Sequence, residues 1–578
     1  MKQCNRISLS LIFCFASLFV FTSASFAQNP PASQTAGGVL QQRKMLEEQK
    51  RIEQRVTDTK APAEELATPE VIPQDEGEKV LITKIVVTGV TLIPADVISA
   101  ITGQFEGKEL SLREMQKVAD LITDEYRKKG YVTSRAYIPP QAIRESILNL
   151  NVVEGRMGAV DIRGNRFFKT SLIRRKVELK PQGYFDFVTL QKSLTFINEH
   201  PDRTAKAVLA PGKEPGTTDV ILEVKDRLPI HVGYNYDNYA SRYLGERRNT
   251  AYLEHNNLLG FDDKLRFEWQ QSRDGSLKLG LGRYVFPIKR DWSVGFYGLN
   301  EDTTLGRDFK SLDARGENIV WGAYTSKALV NTENLDLRWN TGFDYKDSKN
   351  FLAGIETSRD EMRIIKTGLD LDFNDRWARN IMTAEIDVGI PHIMGGMDDQ
   401  DDHSSRSGSG SGAEFQKWVL NYFRLQPGPF TSEILFKNSA QISNSDLVAG
   451  EQFQVGGPGS VRGYPIGELA GDKGLYSSVE WTFPPYFVPR QAKVPFMKNR
   501  TIFESFRILT FYDWGATYTN TASAGEIDNR SLSAAGFGFR LSLGENFFAR
   551  IEFGYPLSSY EPTDNKTVHP WFEITAKF

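Results

Sequence analysis

From Pro229 onward the chain alternates apolar and hydrophilic side chains in run after run, and few folds accommodate that pattern. Val232, Tyr234 and Tyr236 alternate with Gly233 and Asn235, and Leu265, Phe267 and Trp269 alternate with Arg266 and Glu268. Leu335, Leu337, Trp339, Phe343 and Tyr345 stand against Asp336, Arg338, Asn340 and Asp344. Phe537, Phe539, Leu541 and Leu543 stand against Gly538, Arg540 and Ser542, and Ile551, Phe553 and Tyr555 against Arg550, Glu552 and Gly554. A period of two belongs to a β-strand, whose successive side chains point to opposite faces. In a soluble sandwich the apolar face would meet a second sheet and the polar face bulk water. Aromatic-rich faces opposite charges of both signs fit better a closed membrane barrel, with hydrocarbon outside and a wet interior. About 350 residues at roughly 20 to 22 per strand with its connection predict on the order of 16 antiparallel strands over 229–578.

The amino terminus supplies an address. Lys2 and Arg6, the apolar run Leu9 to Val20, and Ser25-Phe26-Ala27 predict a cleaved secretory signal peptide over residues 1–27. Both cysteines, Cys4 and Cys14, fall inside it, so the mature chain is expected to carry no thiol, as suits an oxidising compartment. Beyond Ala27 no stretch approaches 18 uninterrupted apolar residues, which excludes helical spans but not a barrel. A formal net charge of −3 gives no electrostatic case for nucleic acid.

Between leader and barrel lie four segments. Residues 28–56 contain a helix-forming run, Gln34 to Val56, that is polar nearly all round; such a helix must be solvated, partnered, or seated in a water-filled channel. Residues 57–79, with Pro62, Pro69 and Pro73, read as an extended linker. Residues 80–155 read as strand (Ile82 to Thr88), short helix, long helix, strand (Tyr131 to Tyr137) and strand. The long helix opens on a Ser111/Glu114 capping box and carries Met115, Val118, Ala119, Ile122 and Tyr126 on one face. Residues 156–228 repeat that order, with helices expected over Thr170 to Val177 and Val188 to Asn198, so two tandem copies of one small α+β module are expected.

Two motifs stand out in the barrel. In Glu451 to Tyr464 the glycines permit a tight loop, and Arg462, carried into a confined space, demands a carboxylate. Asp513, in Phe511-Tyr512-Asp513-Trp514-Gly515, lies opposite Tyr512 on its strand and hence toward the lumen. With these motifs the chain resembles the two-partner secretion transporters of haemolysin activation/secretion type, in the POTRA-barrel superfamily. The resemblance implies a plug helix, a linker, two periplasmic POTRA modules and a 16-stranded barrel. It also implies a V-R-G-Y loop, here Val461, Arg462, Gly463 and Tyr464, folded into the pore so that its arginine pairs with the aspartate of an F-x-D wall motif, here Phe511 and Asp513. Gly130-Tyr131, Pro139-Pro140-Gln141 and Glu154-Gly155 resemble the first POTRA; Asn198, Pro201, Pro211-Gly212, Pro215-Gly216 and Asp219 resemble the second. The insert Met394 to Gly412 departs from the pattern and reads as a long surface loop that touches no motif.

Function follows from the resemblance as an expectation. A large exported partner protein, such as an adhesin or cytolysin, is received unfolded by the POTRA modules and secreted through the barrel of a Gram-negative outer membrane. The plug helix leaves first, at little cost because it is polar. Phe578, at the end of a strand with Phe572, Ile574 and Ala576 on one face, resembles the assembly signal of outer-membrane barrels; it implies periplasmic chaperones and the barrel assembly machinery as partners during biogenesis, with outer-membrane lipid around the product. An assembly factor of the same superfamily and a passive porin or receptor are the competing readings. No catalytic or cofactor constellation is expected: His200, His231, His255, His392, His403 and His569 lack metal-ligand spacing, and neither a phosphate loop nor a nucleophile elbow occurs.

Overall fold

The computed structural model describes residues 30–57 and 79–578, apart from positions 144, 333, 496, 498, 499, 523–525 and 527. The expected leader and nearly all of the expected linker lie outside the described residues. Near the amino terminus a single turn of tighter helix, Ala32–Gln34, leads into an α-helix over Ala36–Thr57.

The first module comprises β1 (Val80–Ile82), β2 (Lys84–Thr88), β3 (Lys108–Leu110), β4 (Arg135–Tyr137) and β5 (Ile147–Val153), with helices Ala95–Thr102 and Leu112–Lys128. The capping box forms as expected: the Glu114 amide donates to Ser111 Oγ at 3.2 Å and the Ser111 amide to Glu114 Oε2 at 2.8 Å. All five residues of the expected apolar face are buried in one core with Leu148, Leu150 and Val152. Two strand expectations change. The strand foreseen at Ile82 to Thr88 divides at Thr83, because the amides of Thr83 and Lys84 both turn to Ser146 O; β1 pairs instead with β3 as a separate ribbon. Tyr131 to Tyr137 is strand only from Arg135, because Gly130 (φ 91°) ends the helix and the Tyr131 amide folds back to Tyr126 O.

The second module holds β6 (Arg156–Arg163), β7 (Arg203–Pro211) and β8 (Thr217–Asp226), with helices Thr170–Arg174 and Phe187–Asn198. The first of these stops three residues short of Val177. In both modules the first main strand pairs parallel with the last, which pairs antiparallel with the middle one: β2-β5-β4 and β6-β8-β7. One topology, two separate apolar cores, and a helix pair on one sheet face make them copies of a single POTRA design. The copies touch directly, the amides of Phe187 and Phe185 donating to Gly130 O and Gly155 O.

The remaining chain closes on itself. Strands β9 (Ile230–Asp237), β10 (Arg248–His255), β11 (Lys264–Ser272), β12 (Leu277–Lys289), β13 (Trp292–Thr304), β14 (Arg315–Asn331), β15 (Leu335–Leu352), β16 (Ile355–Asn374), β17 (Arg379–Gly389), β18 (Gln416–Pro427) and β19 (Glu433–Ser443) run up and down in sequence. A small ribbon of β20 (Phe453–Val455) and β21 (Leu469–Gly471) interrupts them. Strands β22 (Lys473–Phe483), β23 (Phe506–Tyr518), β24 (Asn529–Leu543), β25 (Phe547–Pro556) and β26 (His569–Lys577) then complete a closed antiparallel barrel of 16 strands. Closure leaves no sheet edge, which hydrocarbon requires. Parity sorts the side chains: Phe267, Trp269, Trp481 and Tyr512 are about half exposed on the outside, while Phe511 and Asp513 face inward and are buried. The seam joining β26 to β9 is the shortest, five pairs from Glu573↔Asp237 to Lys577↔Gly233, extended by mutual backbone hydrogen bonds of Val232 and Phe578. No described helix is long and apolar enough to cross a membrane.

POTRA-side turns of the barrel rest on the second module. Arg203 grips Asp262 of the β10–β11 turn with both guanidinium ends, at 2.6 and 2.7 Å, and Lys176 adds a third bond at 2.7 Å. Burial raises the Asp262 carboxyl, and these two cations outweigh it, bringing its pKa to about 2. Beside them His200, 6% exposed, donates Nε2–H to Asn256 O at 2.7 Å and accepts the Asp202 amide on Nδ1 at 3.1 Å. Arg290 reaches Glu178 and Asn331 reaches Glu199 across the same joint.

Candidate functional site: a plugged lumen and its re-entrant loop

The helix Ala36–Thr57 threads the barrel. Its first turns lie at the end away from the POTRA modules, where the Ala36 amide donates to Asn350 Oδ1, Asn318 Nδ2 donates to Ala36 O, and Gln454 Nε2 donates to Gly38 O. Its last turn reaches the POTRA end, where Ile52 and Val56 pack on Ile381, Phe423 and Leu435. Most charges of the polar girdle noted in the sequence meet opposite charges on the wall. Arg43 meets Glu268 at 3.3 Å, Lys44 meets Asp387 at 3.9 Å, Lys50 meets Glu573 at 2.7 Å, and Arg55 lies 3.7 and 3.8 Å from Asp370 and Asp372. Glu53 has the opposite sign and faces Lys437, Arg540 and Arg550 at 3.8, 3.4 and 3.9 Å. Most of these pairs lie largely out of water, and Ile52 and Val56 add buried apolar contacts that withdrawal would expose.

Between β19 and β22 the chain folds back into this lumen. Glu451, 1% exposed, is held by Lys417 at 2.5 Å and by Lys346. Val461, Arg462 and Tyr464 are all buried, and Gly463 presses its backbone on β24 and β25, where an added Cβ would lie 2.7 Å from the Ala534 side chain and 2.8 Å from Pro556 N. Gly554 on the wall is the counterpart: a Cβ there would sit 2.2 Å from Arg462 O. Trp571 Nε1 donates to that same carbonyl at 2.8 Å, and Tyr464 OH donates to Tyr560 O at 3.2 Å.

Arg462 is the centre of the arrangement. Its Nε and Nη2 donate to the two oxygens of Asp513 at 2.8 and 2.7 Å, and its amide adds a third bond at 3.1 Å. Nη1 donates to Glu480 at 2.7 Å and Glu552 at 3.0 Å, Nη2 also to Ser478 Oγ at 3.2 Å, and the guanidinium lies 3.4 Å from the centroid of the Phe511 ring. The three carboxylates are balanced by two further cations: Arg540 bonds Glu480 and Glu552 at 2.8 and 3.0 Å, and Lys437 bonds Glu480 at 2.5 Å. Every polar atom of the guanidinium has a partner, so breaking the cluster on one side strands buried charge. The pairing of Arg462 with Asp513 was expected from the motifs; the stacking on Phe511 and the approach of Glu480, Glu552, Arg540 and Lys437 were not. Strand parity puts all four in the lumen, but nothing in one sequence says that they converge.

At the end away from the POTRA modules lies the insert Met394 to Gly412, a surface loop with a buried anchor. Arg406, 3% exposed, bonds Asp472 at 3.0 Å, Glu526 at 2.6 and 2.8 Å, and Leu447 O at 2.5 Å. Met397, Ala413 and Phe415 pack with Leu447 and Val448. The insert thus holds both flanks of the re-entrant segment. Phe578 stands apart, its side chain 79% exposed at the seam. Among the described residues no group of three or more His, Cys, Asp or Glu is placed to hold a metal ion.

Comparison with known proteins agrees with this geometry. Residues 216–541 match the model of the haemolysin secretion/activation protein family ShlB/FhaC/HecB, and residues 80–155 match the ShlB-type POTRA domain. The heme/hemopexin transporter protein HuxB of Haemophilus influenzae (strain 86-028NP) is 22% identical over 487 residues, covering 79% of this chain and 85% of that protein. The outer membrane transporter CdiB of Dickeya dadantii (strain 3937) is also 22% identical, over 69% of this chain and 71% of its own. The solved structure of CdiB from Escherichia coli superposes with a TM-score of 0.70 at 19% identity, covering 96% of this chain and all of that one. BamA from Haemophilus ducreyi lacking POTRA domains 1–3 superposes at 0.53 and 15% identity, a likeness of fold alone. A plugged 16-strand barrel, an arginine-clamped re-entrant loop, two POTRA modules and the family match over more than half its length place this chain in the haemolysin secretion/activation family, as an outer-membrane transporter of two-partner secretion.

Proposed function

We propose that the chain takes a large exported partner, unfolded, onto its periplasmic POTRA modules and passes it through the barrel once the helix Ala36–Thr57 has withdrawn. The observation that carries this reading is the way the lumen is filled. The helix is fastened by side chains rather than by sheet hydrogen bonds, and its charges mirror those of the wall. A hydrophilic bore that binds a removable helix can bind a travelling extended chain by the same means. Sheet edges at β4, β6 and β7 offer strand addition, in which backbone hydrogen bonds give affinity and alternate side chains selectivity. The loop Val461 to Tyr464, held by Arg462 on Asp513 beside Phe511, sets the pore's resting shape. Phe578 serves as the signal read by the barrel assembly machinery after periplasmic chaperones deliver the chain. The test is a deletion strain. Its medium should lack one large exported protein while other outer-membrane barrels stay at normal levels; loss of those barrels instead would make the chain an assembly factor and overturn the reading.

A further inference from the structure

The POTRA-side turns of the barrel are unequal. Those joining β12 to β13 and β24 to β25 hold two or three residues, whereas the described residues of 484–505, between β22 and β23, form a folded excursion of their own. A bridge between Lys493 and Thr501, the bonds Val494 N to Arg500 O and Ile502 N to Ala492 O, and the capped helix Ile502–Ser505 organise it. Among the described residues the second POTRA module makes its hydrogen bonds and ion pairs to other turns and to none of this one.

Two chemistries meet on this excursion. Tyr486 and Phe487 are 50% and 79% exposed, and Tyr486 OH donates at 2.7 Å to the carbonyl of Phe430, which is itself 84% exposed in the neighbouring turn. Phe430 is held at φ 55°, a conformation a bulky residue adopts only under constraint, and it presents the ring outward. The rings are continuous with the lipid-facing wall: Trp481 contacts Phe483, Phe483 stacks on Tyr486, and Tyr486 meets Phe503 edge-on. Around them Arg490, Lys493 and Arg500 are exposed and have no carboxylate within ion-pair distance among the described residues; the excursion's one acid, Glu504, is spent in the helix cap. Aromatic rings beside unpaired cations at the rim of an apolar wall are the chemistry of an anionic lipid interface, with rings at headgroup depth and cations on phosphate.

We propose that the 484–505 excursion is a docking face for anionic phospholipid in the periplasmic leaflet, holding the rim beside β22 and β23 to the membrane while the second POTRA module braces other turns of that rim. The inference rests on the membrane-barrel reading but not on the secretion reading, and its test does not use secretion. A fluorophore placed by Phe487→Cys in the full-length protein is read in nanodiscs of phosphatidylcholine alone or of equal phosphatidylcholine and phosphatidylglycerol, with acrylamide as the aqueous quencher. Each surface cation adds about fivefold to partitioning onto an anionic bilayer. The label is expected to be several-fold better shielded in the mixed discs, and Arg490→Glu with Lys493→Glu and Arg500→Glu is expected to abolish the difference. Phosphatidylglycerol co-extracted with the protein should fall in parallel. Equal quenching in both lipids overturns the proposal, as does shielding that inorganic phosphate alone produces in detergent or that appears only when an exported partner protein is added. Unchanged heat-modifiable migration of the charge-reversed variant establishes that its barrel is intact.

Discussion

Glu53 of the plug helix lies 3.4 Å from Arg540 of β24, and Arg540 at the same time bonds Glu480 and Glu552, the two carboxylates that share Arg462 with Asp513. Plug and re-entrant loop therefore draw on one set of charges. Removing Glu53 leaves Arg540 and Lys437 free to turn wholly toward Glu480, so the loop stays clamped while the plug loosens. Glu53→Ala is expected to raise the frequency of open events in planar-bilayer recordings without changing the thermal stability of the barrel; equal destabilisation of both would contradict the ordering.

The clamp itself is asymmetric. Arg462→Ala leaves Asp513, Glu480 and Glu552 buried with one fewer cation and is expected to cost about 3–5 kcal/mol. Asp513→Asn keeps a hydrogen-bonding partner and two other carboxylates for Arg462, with an expected loss of about 1–2 kcal/mol. Heat modifiability on gels reports both. A simple exchange, Arg462→Asp with Asp513→Arg, would restore secretion if the two residues formed an isolated pair. Here it puts a carboxylate beside Glu480 and Glu552, so only partial rescue is expected, and full rescue would show that the outer carboxylates are idle.

Apolar contacts add to the plug's hold. Ile52 is fully buried against Ile381, Phe423 and Leu435. Ile52→Ala is expected to weaken the plugged state by about 2–4 kcal/mol, and a disulfide engineered between the helix and β18 should then form more slowly than in the parent. An unchanged rate would mean that this patch does not restrain the helix.

The joint between barrel and second POTRA module is expected to weaken in mild acid through His200. Burial against Phe168 is the main cause that lowers its pKa to about 4, with Arg203 and Lys264 adding to it and the Asn256 carbonyl and Asp262 opposing it. Since the folded value lies below the ordinary 6.5, the folded state binds fewer protons between these values. Stability at the joint is thus full above about pH 6.5 and falls as pH drops toward 4, by on the order of 2–3 kcal/mol. Protonation would set a second N–H on Nδ1 against the Asp202 amide that now donates to it. Protease sensitivity of residues 199–229 measured from pH 7.5 to 4.5 should rise across that window, and His200→Gln should flatten the profile.

At the far end Arg406 ties the insert to Asp472, Glu526 and Leu447 O. Arg406→Ala is expected to free residues 390–415 for extracellular proteolysis on whole cells while leaving barrel migration unaltered. Continued resistance would mean that the packing of Met397 and Phe415 holds the insert without it.

Much of this protein was decided locally and could be read from residue order. Alternation of period two sets strand parity, and parity alone puts Asp513 inside and Tyr512 outside; the Ser111/Glu114 box starts its helix by contacts three residues apart; the repeated strand and helix order yields two modules of one topology. Contacts across the closed cylinder were another matter. Glu480, Glu552, Arg540 and Lys437 are separated from Arg462 by 18 or more positions, and which lumen charges meet depends on strand stagger and on the path of the re-entrant loop, neither of which leaves a periodic mark. The polar plug helix was legible as a helix, but its cost of removal depends on the wall it faces, and the insert was legible as a long surface loop with no sign of the partners that anchor Arg406. Short-range sterics and side-chain period act between neighbours in the chain; matched charge in a confined bore acts between strangers, and only the folded barrel brings them together.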